Sequence, residues 1–260
     1  MTGVLNIKIA VTGKGGVGKT TLAGVLARLF AKDGYDVIAI DADPDMNLAS
    51  AIGVKGSPKP LSDLKDLIKE RAEISEGLIK LNPKVDDIVD NYGVVGPDGV
   101  KMLVMGTIER GGGGCACSHN TFLSAFLRHI LFKEKLVILD MEAGIEHLGR
   151  GTSKGVDLMV IVVEPGSKSV ETAKRIKRLA SDLGIKDLAA VINKSNGSSI
   201  IRDKLAKEEI SVIGEIPFDD TLVKADLEGR SPIDFGGSAI DAIKVVKEEI
   251  SGRYGKKVKS

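Results

Sequence analysis

Short runs of aliphatic and β-branched residues alternate along the chain with longer segments whose apolar positions recur every three or four residues. The short runs are Ile7–Val11, Val37–Ile40, Met102–Met105, Leu136–Leu139, Leu158–Val163, Ala189–Ile192 and Val212–Ile216. The amphipathic segments are Thr20–Lys32, Thr121–Phe132, Ser169–Leu183, Ile200–Lys207 and Ala239–Ile250. A strand that is apolar at nearly every position has no face left for water, so it must be covered on both sides. Such strands, separated by helices, predict an α/β fold: a mostly parallel central sheet with helices on both faces. Ligands of these sheets bind beyond the carboxyl ends of the strands. Two stretches break the pattern, Gly53–Pro60 as a Gly/Pro loop and Asn91–Gly99 as a hairpin turn. No internal repeat or low-complexity linker divides the chain, so residues 1–251 read as one domain and 252–260 as a short, disordered basic tail.

Composition narrows the function classes. Apolar residues make up 43% of the 260 and charged residues 28%, which excludes disorder as the main state. Aromatics are only 3%, with no Trp, which argues against a stacking platform for single-stranded nucleic acid. A net charge of +1, spread evenly, leaves no polyanion-binding surface, so no nucleic-acid partner is expected. No apolar run approaches the ~20 residues that cross a bilayer. Met1–Lys8 lacks the layout of a signal peptide, so the expectation is a cytoplasmic protein without a membrane partner. Cys115 and Cys117 are separated by one residue. A bridge between them would be strained, which leaves metal binding or redox chemistry as their use.

Candidate chemistry begins after the first strand. Gly13-Lys14-Gly15-Gly16-Val17-Gly18-Lys19-Thr20-Thr21 fits G-x-x-x-x-G-K-[ST], the phosphate-cradling loop (P-loop). Its glycines let consecutive N–H groups face phosphate oxygens, and the helix that follows adds its dipole. Lys19 would meet the β- and γ-phosphates, and the Thr20 hydroxyl would ligate Mg²⁺. Gly13, Gly15 and Gly18 also spell the dinucleotide pattern G-x-G-x-x-G, with Asp41 roughly where a ribose-binding acid would stand. The Lys19-Thr20 pair decides for a triphosphate, because a dinucleotide has no use for it. Leu136–Asp140 is an apolar strand ending in an acid, the pattern that binds Mg²⁺ through water. Asp41-Ala42-Asp43-Pro44-Asp45 places further carboxylates at a strand end, where they can orient water or simply cap a helix over Met46–Ile52.

The second loop lysine, Lys14, gives the segment the form K-G-G-x-G-K-[ST]. In this it resembles the deviant Walker A ATPases, the family of MinD, ParA and the nitrogenase iron protein. The resemblance implies an ATP-driven homodimer in which Lys14 reaches across to the partner's nucleotide and Lys19 holds the phosphates. It makes Asp43 the water-positioning residue of switch I, with Asp41 nearer the metal shell. It also implies that the Gly144 N–H senses the γ-phosphate in switch II. Asn193 would read the adenine edge beside Lys194, and Pro217 would line the base pocket. With Gly15, Gly16, Val17, Gly18, Thr20, Thr21 and Asp140 these residues form the expected ATP and Mg²⁺ site.

Four glycines precede Cys115-Ala116-Cys117, and an amphipathic helix is expected over Asn120–Phe132. A helix N-terminus favours thiolate, and one C-x-C supplies two soft ligands, half of a tetrahedral site. A symmetric dimer would complete four. With Asp140–Thr152, this segment is similar to the CooC-type nickel-insertion ATPases of carbon monoxide dehydrogenase maturation. That resemblance implies Ni²⁺ held by Cys115 and Cys117 across the dimer. Zn²⁺ and copper(I) also suit thiolates. It further implies a nickel enzyme client such as carbon monoxide dehydrogenase. Three rivals remain. An electron-transfer ATPase would use widely separated cysteines, and an iron–sulfur scaffold of the Mrp type would show C-x-x-C. A positioning ATPase would carry an amphipathic anchor or a basic surface. Of the histidines, His119 reads as a helix-start polar residue and His129 as structural, while His147 has no assigned role.

Overall fold

The computed structural model describes residues 5–56, 58–75, 78–106, 114–134, 136–143, 148–149 and 152–255, with backbone alone at 75 and 114–117. The order begins β1 (Ile7–Gly13), α1 (Lys19–Lys32), β2 (Val37–Ala42), α2 (Leu48–Ile52), α3 (Lys65–Ala72), β3 (Glu73–Ser75) and β4 (Leu78–Ile79). It continues α4 (Ile88–Tyr92), β5 (Val94–Val95), β6 (Lys101–Val104), α5 (Gly114–Lys133), β7 (Leu136–Met141), β8 (Leu158–Val163) and α6 (Ser167–Leu183). It closes with β9 (Leu188–Ser195), α7 (Ser199–Lys207), β10 (Ser211–Pro217), α8 (Asp220–Leu227) and α9 (Ser238–Tyr254).

Each expected strand is present, and they form one sheet in the order β10-β9-β8-β1-β7-β2-β6-β5. All its pairings are parallel except that of the short edge strand β5 with β6. Successive residues of a strand face opposite sides. Thus Ile7, Ile9 and Val11 join α1 and α9 on one face, while Ile38, Ile40, Val137 and Leu139 join α5 and α6 on the other. This double burial is why the strands read as unbroken apolar runs. The chain leaves β1 in one direction to β2 and later fills its other side with β8, so the strand order reverses at β1. That reversal opens the crevice where α/β sheets take ligands.

Several boundaries differ from the sequence reading. The hairpin turn narrows to Pro97–Gly99, because residues 88–92 form α4. A small antiparallel pair, β3 and β4, had no legible pattern because it is so short. α2 begins at Leu48, since Met46 sits at φ +50°, outside helical geometry. α5 begins at Gly114, six residues before Asn120, so the backbone of Cys115 and Cys117 lies in its first turn. α9 runs past residue 251 to Tyr254. Tyr254 continues the buried stripe of Ile243, Val246 and Ile250, and its hydroxyl donates to the Asp157 carbonyl and the Asp187 carboxylate. Residues 256–260 lie outside the described chain.

One buried arginine, paired with two carboxylates, ties the β5–β6 turn to the C-terminal half. Arg28 of α1, 5% exposed, donates to Asp98 and to Asp234, each at 2.7 Å. Both carboxylates reach solvent, so the loss on removing the arginine falls below the several kcal/mol of a fully buried pair. Arg28→Ala is expected to lower the unfolding free energy by about 2 kcal/mol, read by chemical denaturation. No change would mean the pair is idle.

Candidate nucleotide site

The loop between β1 and α1 sits at the strand-order reversal. Gly18, at φ +89°, is the N-cap of α1, and any side chain there would collide with the Asn193 amide. A Cβ on Gly13 would stand 2.5 Å from the Val162 carbonyl, so only glycine lets the loop leave the sheet this close to β8. Thr20 and Thr21 fall in the first turn of α1. Thr12, the last β1 residue before Gly13, donates its hydroxyl to the Glu142 carbonyl at 2.8 Å, which ties the residue after β7 to the start of the loop.

Sheet register gathers the acids. Asp41 and Asp140 are paired residues of neighbouring strands β2 and β7. Asp140 is fully buried, and neither of its carboxylate oxygens has a hydrogen-bond partner. Burial pushes its pKa up to about 7, with the neighbouring Asp41 and Asp43 adding to the rise. The nearby Thr20 hydroxyl and Lys19 oppose it, without the hydroxyl reaching bonding geometry. An orphaned buried carboxylate of this kind fits a divalent cation. Among the described residues no cluster of three or more His, Cys, Asp or Glu could hold a metal by itself. Mg²⁺ suits such a site, since it takes one or two carboxylates and fills its shell with water and phosphate oxygens.

Asp41 sits beside Asp140 and is held by backbone N–H groups. Its carboxylate accepts from Leu48 N at 2.9 Å and Asp43 N at 3.2 Å, so it organises the turn after β2 and caps α2, although burial raises its pKa to about 6. Asp43 does not cap the helix. One of its oxygens accepts from Asp45 N, and the other meets Lys19 Nζ at 2.5 Å. Burial would lower the Lys19 pKa, but its bond to Asp43 and the charges of Asp140, Asp43 and Asp45 outweigh that, and the net shift is upward.

These groups line a cleft of about 520 Å³ that contains Gly13, Gly15, Lys19, Asp43, Asp45 and Glu142. Arg175 and Leu179 of α6 complete its wall. Sequence reasoning missed Arg175, because only the packing of α6 over the sheet brings it there. Lys14, Gly15 and Gly16 are exposed at the loop's outer edge. Asn193 and Lys194, at the end of β9, touch the loop itself: Asn193 Nδ2 donates to the Val17 carbonyl and Lys194 Nζ to the Gly16 carbonyl. Pro217 ends β10, followed by the exposed Phe218. Gly144 and the thiols of Cys115 and Cys117 lie outside the described residues and side chains.

Residues 8–233 match the model of the CobQ/CobB/MinD/ParA nucleotide-binding domain. The chain belongs to that family. This nucleotide-binding family brings with it the MinD/ParA type of P-loop ATPase, in agreement with the loop, the two strand-end acids and the sheet order. The chain is 47% identical to an uncharacterized ATP-binding protein of Methanocaldococcus jannaschii, over 92% of its own length and 96% of that protein's. It is 45% identical to the carbon monoxide dehydrogenase accessory protein CooC of Rhodospirillum rubrum, over 96% and 98% of the two chains. MinD of Pyrococcus horikoshii, solved with Mg-ADP, superimposes with a TM-score of 0.72 at 19% identity, covering 98% of this chain and all of that one. This last likeness is one of fold. Among the described residues no helix is long and apolar enough to cross a membrane.

The raised carboxylate has a consequence for stability. Between the ordinary aspartate pKa and about 7 the folded protein keeps a proton on Asp140 that the unfolded chain has lost. Stability of the nucleotide- and metal-free protein therefore falls as pH rises through that window. Asp140→Asn is expected to remove its share of this slope, leaving that of Asp41 below about pH 6, and to stabilise the nucleotide-free protein at pH 8 by about 1–3 kcal/mol, read by denaturation in chelator. A slope unchanged by the substitution would reject the buried-acid description.

Proposed function

We propose that this chain is a homodimeric, ATP-hydrolysing maturation factor that carries nickel to an enzyme of the carbon monoxide dehydrogenase kind. The observation that carries the reading is the 45% identity to CooC along almost the whole of both chains. Cys115-Ala116-Cys117 adds chemistry suited to a soft metal ion. Residues 1–251 act as one ATPase domain in the cytosol, with nickel as cargo and zinc as the ion most able to replace it.

Within this reading Gly15 to Thr21 cradle the triphosphate. Lys19 moves from Asp43 to the β- and γ-phosphates, which leaves Asp43 to orient the attacking water. Thr20 and Asp140 would hold Mg²⁺, which supplies charge neutralisation for the leaving phosphate when bound. Lys14 projects from the loop edge toward a partner's nucleotide, so turnover requires the dimer. Asp41 holds switch I in register, and Gly144 reports the γ-phosphate. Pro217 borders the base.

α5 couples the two ligands. It carries the C-x-C in its first turn, and β7, with Asp140 near its end, begins only a few residues beyond it. Packed elements shift as bodies, so metal bridging two C-x-C pairs and ATP closing two loops favour one dimer. Linkage then makes each ligand raise the other's affinity by one common factor, typically about 5–150-fold. Equilibrium dialysis with sedimentation is expected to find one Ni²⁺ or Zn²⁺ per dimer. The paired change Cys115→Ala with Cys117→Ala should abolish that metal and the metal-driven dimer while ATP still binds. One metal per monomer, or unchanged metal binding in the double variant, would overturn the shared site.

A further inference from the structure

α6 is held by a buried stripe, Val170, Ala173, Ile176 and Ala180, at the spacing of one helix face. A helix that buries one stripe turns its two flanks toward different neighbours. One flank of α6 meets the end of α7, where Lys174 pairs with Glu208 at 3.0 Å and Lys177 with Glu209 at 3.0 Å. The other flank brings Arg175 and Leu179, one turn apart, into the wall of the cleft beside the phosphate loop. Leu179 packs half-buried against the core and so fixes the direction of this flank. Arg175 itself is exposed.

The arginine differs from the two lysines on either side of it. Among the described residues no carboxylate pairs with its guanidinium, whereas Lys174 and Lys177 are both engaged. The charges around the cleft give that free cation a use. The described lining holds three carboxylates, Asp43, Asp45 and Glu142, and two cations, Lys19 and Arg175. Lys19 bonds to Asp43, and Asp45 and Glu142 are exposed to the same space. A phosphate entering there meets like charge on two sides, and one lysine does not offset it. Lys14, Asn193, Lys194 and Pro217 all stand outside this lining. The cleft is therefore the end of the site bounded by the strand-end acids, away from the residues expected to meet the base.

We propose that Arg175 binds the terminal phosphate of a nucleoside triphosphate and makes the site favour triphosphate over diphosphate. Its planar fork matches two phosphate oxygens and approaches from α6, while Lys19 approaches from α1. A diphosphate ends at the loop and Lys19 and gains nothing from the guanidinium. The proposal rests on the reading of the cleft as an ATP site and adds to it a residue that tells ATP from ADP.

The test is equilibrium dialysis of two probes, MgADP and the magnesium complex of the non-hydrolysable β,γ-imido analogue of ATP. Wild type, Arg175→Met and Arg175→Lys are compared at protein concentrations where sedimentation finds monomer, so that a contact across a dimer does not enter. Arg175→Met is expected to weaken the triphosphate analogue by about fivefold or more, the loss of one charge-assisted pair, and to leave MgADP unchanged. Arg175→Lys should restore only part of that loss, because an ammonium lacks the fork. Both variants should melt at the wild-type temperature, since Arg175 is exposed and unpaired among the described residues. Equal weakening of MgADP and the triphosphate analogue would overturn the proposal, and so would unchanged binding of both. A wild type that binds neither nucleotide would instead remove the ATP reading on which the proposal stands.

Discussion

The site depends on one ammonium group and the carboxylates that compete for it. Lys19 is 7% exposed and surrounded by Asp43, Asp45 and Asp140, and it bonds to Asp43 at 2.5 Å. A buried cation must be paired, because its desolvation is otherwise prohibitive. Asp43 provides that partner. The same bond keeps the aspartate that would orient water engaged with a cation. On the proposed function, filling and activating the site would be two sides of one exchange: phosphate would take the lysine and release the aspartate.

Every other feature of the site serves to hold this exchange in place. Parallel pairing of β2 with β7 sets Asp41 opposite Asp140, and pairing of β7 with β1 sets Asp140 opposite Val11, two residues before Gly13. Asp41 spends its carboxylate on the backbone of switch I, so Asp43 has a fixed position from which to reach Lys19. Asp140 is left with two orphaned oxygens, and its burial raises its pKa to about 7. On the far side, β9 fixes the loop's carbonyls. The cleft is thus organised by strand register and by hydrogen bonds to the loop and the turn after β2.

Much of this was legible in the residue pattern, for identifiable reasons. Strands buried on both faces cannot hide, and Leu158–Val163 is apolar at every position. The loop and the strand-end acids were legible because phosphate chemistry fixes their spacing along the chain. What escaped depends on contacts between distant segments. Arg175 has no motif, and only the placement of α6 brings it into the cleft. The bond from Asn193 to the Val17 carbonyl escaped because that carbonyl lies 176 residues earlier. The start of α5 was misjudged because a glycine run carries no helical signal, although the helix already begins at Gly114. The tail reads as basic and loose from sequence because Tyr254, four residues beyond Ile250, stands alone among polar residues, although it forms the last turn of the buried stripe.

The exchange at Lys19 is open to direct measurement. Calorimetry of MgATP binding to Asp43→Asn and to wild type, over a time short against turnover, compares a lysine without its competitor to one that must be pulled from it. Affinity for ATP is expected to rise by about fivefold or more in the variant, while hydrolysis falls away. Binding that is unchanged or weaker in Asp43→Asn would contradict the account, since Asp43 would then not be holding the lysine that phosphate requires.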